Sequence, residues 1–211
     1  MGLPGAQPPR PGALPPADRL WYAAYGSNTH LTRLARYLAH CRDRTPPVCS
    51  RALELPGAVY FATESAVWGG GRAFYDPAAD GRAFFRAHLI TAGQFADVAA
   101  QEMYRAPGAD LDLTAVLAHG RATLGEGRYE TLVRAGTLDA LPVLTFTAPW
   151  RAADVDPLPP SAAYARHIAL GLLEAGAWSA AEVAAYVAGR PGAAGHWSPE
   201  AVAEPLARPE P

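Results

Sequence analysis

The chain has 211 residues, half of them apolar and 18% charged, which is length and apolar content for one domain with a substantial core but not for two. Net charge is −2 and all 18 basic residues are arginines without a basic run, so no stripe exists for a phosphate backbone and a nucleic-acid partner is not expected. With no lysine in the sequence, Schiff-base chemistry through lysine, including attachment of pyridoxal phosphate, is excluded.

In chain order, residues 1–18 carry six prolines among small residues and read as a disordered tail, with no apolar run for a signal peptide or a membrane span. The run Leu20-Trp21-Tyr22-Ala23-Ala24-Tyr25 predicts a buried strand stopped by a turn at Gly26. Leu31, Leu34, Tyr37 and Leu38 recur at helical spacing, with Asn28 or Thr29 available as a cap. Cys41 and Cys49 are too few for a zinc site or a CxxC pair; free thiols in a reducing cytosol are the simplest reading, one disulfide the alternative. Short strands follow at Val59 to Ala62, Arg72 to Tyr75 and Phe84 to Ile90. A helix over Thr91 to Tyr104 places Glu102 near its end. Residues 105–126 have weak periodicity and read as an inserted loop with one short helix. Strands at Tyr129 to Val133 and Leu141 to Phe146, parted by a turn at Gly136, precede two helices over Ser161 to Ala175 and Ser179 to Ala188. The Pro- and Ala-rich residues 191–211 read as a C-terminal tail, leaving 19–190 as the domain. This order is an α+β pattern, a small mixed β-barrel or strongly curved sheet flanked by helices. The apolar faces of the C-terminal helices are compatible with a homodimer, and a cytoplasmic location fits the composition.

Gly26 stands at a strand-to-helix turn, where the missing Cβ lets backbone N–H groups converge on a carboxylate or an oxyanion. Ser27 and Asn28 add a hydroxyl and an amide, and Tyr25 a phenol. By pattern alone, a core tyrosine at Tyr25, a turn at Gly26 and a helix cap at Asn28 is the simpler reading of the same residues. The stretch Tyr22-Ala23-Ala24-Tyr25-Gly26-Ser27-Asn28 resembles the "YFAYGSN" signature of the γ-glutamylcyclotransferase-like superfamily, which includes the AIG2-like proteins. Further likenesses follow in the family's order: Trp68-Gly69-Gly70-Gly71-Arg72-Ala73 resembles its glycine-containing strand entry, Gln101-Glu102 its catalytic glutamate, and Pro160-Ser161-Ala162-Ala163-Tyr164 its "PSxxY" helix. Together they span residues 20 to 176.

The resemblance implies an enzyme needing neither metal nor organic cofactor, acting on a small γ-glutamyl substrate. The substrate amine attacks its own γ-carbonyl, closing 5-oxoproline and releasing the bound amine, amide or peptide. Tyr25, Gly26, Ser27 and Asn28 would bind the γ-glutamyl part, and Glu102 would move the protons. Burial is expected to raise the proton affinity of Glu102 from the ordinary carboxylate range, which is too low for a useful base. Where the family places a short turn after the glutamate, Met103-Tyr104-Arg105 leads into the long 105–126 segment, expected to cover the leaving-group side. Glu126 between glycines is a rival acid/base, and Tyr129, Tyr164, Trp68 and Trp150 are candidate pocket walls or plain core. Six dispersed histidines without an HExxH motif give no spacing for zinc, and the turn lacks the GxSxG elbow of a serine hydrolase. Two other functions fit the same residues: a biosynthetic tailoring enzyme that removes a γ-glutamyl group or closes another lactam, and a non-catalytic ligand-binding module.

Overall fold

The computed structural model describes residues 19–207. Among these residues six strands form a mixed sheet in the order β2 (Ser50–Pro56), β5 (Arg82–Thr91), β1 (Arg19–Ala24), β8 (Leu141–Thr147), β7 (Thr131–Leu138), β6 (Arg121–Thr123), and β3 (Ala58–Glu64) pairs with β4 (Gly71–Asp76) in a separate hairpin. The central strand β1 (Arg19–Ala24) runs antiparallel to β5 (Arg82–Thr91) and parallel to β8 (Leu141–Thr147). Its unbroken apolar run is explained by the strand's period of two in a sheet covered on both faces. Leu20, Tyr22 and Ala24 join Leu34, Phe95 and Phe146 on one side, while Trp21, Ala23 and Tyr25 join Phe85, Val143 and Ile168 on the other.

The sheet does not close. β2 (Ser50–Pro56) and β6 (Arg121–Thr123) are its edges, so of the two expected forms the barrel is absent and a mixed α+β sheet flanked by helices remains. β2 pairs with β5 over seven residues, from Ser50 opposite His88 to Pro56 opposite Arg82, although its short, mixed-polarity sequence carries no strand signal of its own. The hairpin of β7 (Thr131–Leu138) and β8 turns at Asp139 and Ala140, both with positive φ, rather than at Gly136. Gly136 instead marks the shift in register between the strands, a bulge that its φ of 150° accommodates. Residues 105–126 do contain one short helix, α3 (Thr114–His119), but they also supply β6, which extends the sheet beside β7. Asp97 ties the start of this segment down, accepting from the Gly108 N–H at 2.9 Å and from Arg42, which also reaches Asp110.

Helix ends follow local chemistry. α2 (Ala92–Glu102) begins at a reciprocal Thr91–Gln94 capping box, α4 (Ala162–Glu174) at Ser161, and α5 (Ala180–Ala188) at a Ser179–Glu182 box. Leu172, Val183 and Val187 on α4 and α5 lie in the core. Residues 191–207 are not a free tail. They carry α6 (Pro199–Ala203), Ala193 and Val202 are buried, the Phe61 N–H donates to Pro191 O at 2.8 Å, and the Trp197 indole N–H donates to Pro160 O at 2.9 Å. Proline and alanine content signals weak local preference, which tertiary burial here overrides. The expected tail at 1–18 and residues 208–211 lie outside the described residues. Cys41 and Cys49 are both free thiols.

Candidate active site

Beyond β1 the chain passes through Gly26 into a single 3-10 turn, Ser27–Thr29, before α1 (Leu31–Leu38) starts with His30 at its N-cap. Neither Asn28 nor Thr29 caps that helix. The Thr29 hydroxyl donates back to Gly26 O at 2.8 Å, and Asn28, 3% exposed, turns its amide inward. Asn28 Nδ2 donates to Glu102 Oε1 at 3.1 Å and to the Tyr22 hydroxyl oxygen at 3.2 Å. The turn and the glutamate, 74 residues apart in sequence, are therefore joined directly.

The turn is clamped from three sides. Arg86 donates to Thr29 O at 3.0 Å, and α4 crosses the turn at Gly171, where a Cβ would sit 2.4 Å from both Thr29 C and His30 N. The third clamp is His88 on β5, fully buried, whose Nε2 lies 2.9 Å from Asn28 O and whose Nδ1 lies 2.8 Å from the Ser50 hydroxyl. Burial holds the imidazole down to about 3, against a favourable bond to Asn28, so it is neutral. A carbonyl can only accept, so Nε2 carries the hydrogen and Nδ1 accepts from Ser50.

Glu102 is the last residue of α2 and is partly buried. Burial pushes its carboxyl above the usual carboxylate range. Hydrogen bonds from Tyr37 and Asn28 and the charges of Arg33 and Arg72 offset part of that effect. The Tyr22 and Tyr37 phenols are raised by burial and by the neighbouring Glu102 charge, so both stay neutral. Around this carboxylate lies a cavity of about 100 Å3 walled by the 25–28 turn, Arg33, Tyr37, Arg72, Trp68 and Tyr164.

All five expected site residues line this cavity, and the Tyr25 hydroxyl is already engaged, donating to Phe146 O at 2.8 Å. The rival Glu126 does not line this cavity but a second one, with Glu130 and Trp150, that shares Glu102, Tyr104 and Tyr129 with the first. Of residues 105–126, only Glu126 lines this second pocket. Tyr164 accepts from the Ala73 N–H at 3.3 Å and stacks on Trp68, and Tyr129 donates to Ala73 O at 3.0 Å. Four neighbours escaped the sequence reading: Tyr37, counted only as part of an apolar stripe; Arg33, one turn before it on the same helix face; Arg72, next to the glycine run; and His88. Among the described residues no group of three or more His, Cys, Asp or Glu side chains is placed to hold a metal ion.

Among solved structures, one described as a gamma-glutamyl cyclotransferase superposes with a TM-score of 0.52, over 89% of this chain and 97% of that one, at 16% identity. The fold is that of γ-glutamyl cyclotransferase. A second structure, of an uncharacterized protein from Homo sapiens, also superposes with a TM-score of 0.52, over 90% of this chain and 98% of its own, at 17% identity. No family model matches the sequence. Among curated proteins, Histone deacetylase 5 of Arabidopsis thaliana is 29% identical over 198 residues, covering 80% of this chain and 30% of that protein. The chain thus spans less than a third of that relative's length.

Proposed function

We propose that the protein is a γ-glutamyl cyclotransferase-type enzyme in which Glu102 is the acid/base and Tyr25, Gly26, Ser27 and Asn28 hold the γ-glutamyl group. The observation that carries this reading is the 3.1 Å bond from Asn28 to Glu102 at the edge of one cavity. It is supported by the cyclotransferase fold and by the raised proton affinity of that carboxylate.

The reaction needs a folded-back substrate and two proton movements. Holding amine and γ-carbonyl in contact removes most of the entropic barrier to ring closure, a contribution of several orders of magnitude in well-oriented intramolecular reactions. As the amine nitrogen bonds to the γ-carbon, Glu102 takes its proton. The carbonyl oxygen becomes an oxyanion beside the first N–H groups of the 3-10 turn, which have no partner within that turn. Collapse of the intermediate breaks the original C–N bond while Glu102 returns the proton to the departing nitrogen. The products are 5-oxoproline and a free amine, and all atoms come from the substrate. A carboxylate with raised proton affinity suits both halves, since acid/base efficiency improves as the group's pKa approaches working pH.

The test is mass spectrometry of reactions with γ-glutamyl amino acids, γ-glutamyl alkylamines and glutathione, monitoring 5-oxoproline. Release by the wild type and its loss in Glu102→Gln, with the variant still folded, is the expected result. Equal turnover by Glu102→Gln would overturn the role of this residue. Ligand binding by both proteins without turnover would instead favour the non-catalytic module.

A further inference from the structure

Arg72 follows the glycine run on β4 (Gly71–Asp76), and the backbone there leaves it little freedom. The Gly71 N–H donates to Pro159 O at 2.7 Å, and a Cβ on Gly71 would stand 1.9 Å from Leu158 O. Next along the strand, the Ala73 backbone is gripped by Tyr164 and Tyr129. Arg72 is thus delivered to the cavity wall at 6% exposure. One of its N–H groups donates to Glu64 O, its Nε has no partner, and among the described residues no carboxylate pairs with it. A guanidinium stays charged at any physiological pH and has five N–H groups to satisfy, so a buried one that feels the Glu102 charge but has no carboxylate within ion-pair distance leaves donors for a ligand. Arg33 lines the same cavity, also with a buried and unpartnered Nε, its guanidinium 5.2 Å from the Tyr37 ring and 5.6 Å from the Trp68 ring. Two cations therefore face a cavity that holds one carboxylate, Glu102, already bonded to Asn28 and Tyr37.

We propose that Arg72 is the seat of a substrate carboxylate, with Arg33 as a second cation on the same cavity, so that the protein selects substrates bearing a free carboxylate beside the reacting amide. This rests on the cyclotransferase reading of the cavity. The carboxylate has two sources, the α-carboxylate of the glutamyl group or that of a departing amino acid. The plainer role, holding the β3–β4 register shift at Glu64 through its carbonyl, uses one N–H of the five and needs no charge.

The experiment is a double-mutant cycle between side chain and ligand. Binding is measured by calorimetry in the Glu102→Gln protein, alone and with Arg72→Met or Arg72→Lys, and kcat/KM is measured for the same Arg72 variants with Glu102 intact. The probes are γ-glutamyl-alanine, its α-carboxamide analogue and γ-glutamyl-ethylamine, which lacks the leaving-group carboxylate. Arg72→Met is expected to weaken γ-glutamyl-alanine binding 10- to 100-fold, in line with loss of a charge-assisted bidentate contact. Removing the partnering carboxylate from the probe should cost as much in the parent and little more in the variant. Coupling to the carboxamide assigns the seat to the α-carboxylate, and coupling to the ethylamide assigns it to the leaving group. Additive losses on both probes, or no binding of any probe, would overturn the proposal. Arg72→Lys keeps the charge and loses the planar fork, and carries the same test if the methionine variant does not fold. Coupled binding without turnover would leave the carboxylate seat standing and remove the chemistry. Turnover with additive losses would do the reverse.

Discussion

His88→Gln should alter how the fold's stability depends on pH, because it removes a buried imidazole held neutral against the turn that carries Asn28. The folded-state pKa is down at about 3, whereas an unfolded histidine titrates near 6.5. The unfolded chain therefore binds the proton first as pH falls. Stability from this residue is fully present above roughly pH 6.5 and drains away between there and about 3. One pH unit inside that window corresponds to about 1.4 kcal/mol, so going from pH 7 to pH 5 should cost the wild type about 2 kcal/mol through His88 alone. Glutamine can place its Nε2 near the position of the imidazole Nε2 and keep the donor to Asn28, but it does not titrate. Urea denaturation at several pH values, wild type against variant, reads the difference directly, because every other titrating group is common to both. The two stability curves should converge by about 2 kcal/mol on acidification, with the variant losing less. Parallel curves over that range would mean that His88 is protonated in the folded protein or not buried as described.

Other predictions rest on single contacts. Asn28→Ala removes a hydrogen bond that lowers the proton affinity of Glu102, so the acid limb of kcat/KM should move to higher pH and the rate at neutral pH should fall, roughly 10- to 100-fold. A pH profile with an unmoved or lowered limb would contradict the coupling. Gly171→Ala drives a methyl group into the backbone of Thr29 and His30 and should cost about 1–3 kcal/mol, read as a drop of several degrees in Tm. An unchanged Tm would show that the α4 crossing is looser than its 2.4 Å approach implies.

The parts legible from sequence are those settled within a few residues. β1 announces itself because both of its faces are covered, and Thr91, Ser161 and Ser179 mark helix starts because a cap needs only the amide two or three positions on. The resemblance at Tyr22 to Asn28 and at Gln101-Glu102 pointed to segments that the fold does bring into contact. Tertiary structure decided the rest. Ser50–Pro56 is a strand because β5 offers an edge for it, and residues 191–207 fold because Phe61 and Pro160 receive them. Asn28 has the right chemistry for a helix cap, and only the arrival of α2 turns its amide to Glu102 instead. His88 and Arg72 read as an isolated histidine and an isolated arginine, since the register of β5 and the packing of Gly71 under Leu158 determine what they face. Capping and periodicity are short-range preferences written in neighbouring residues, whereas the environment that gives a buried charge or imidazole its chemistry is assembled from segments distant in the chain, and no local pattern encodes it.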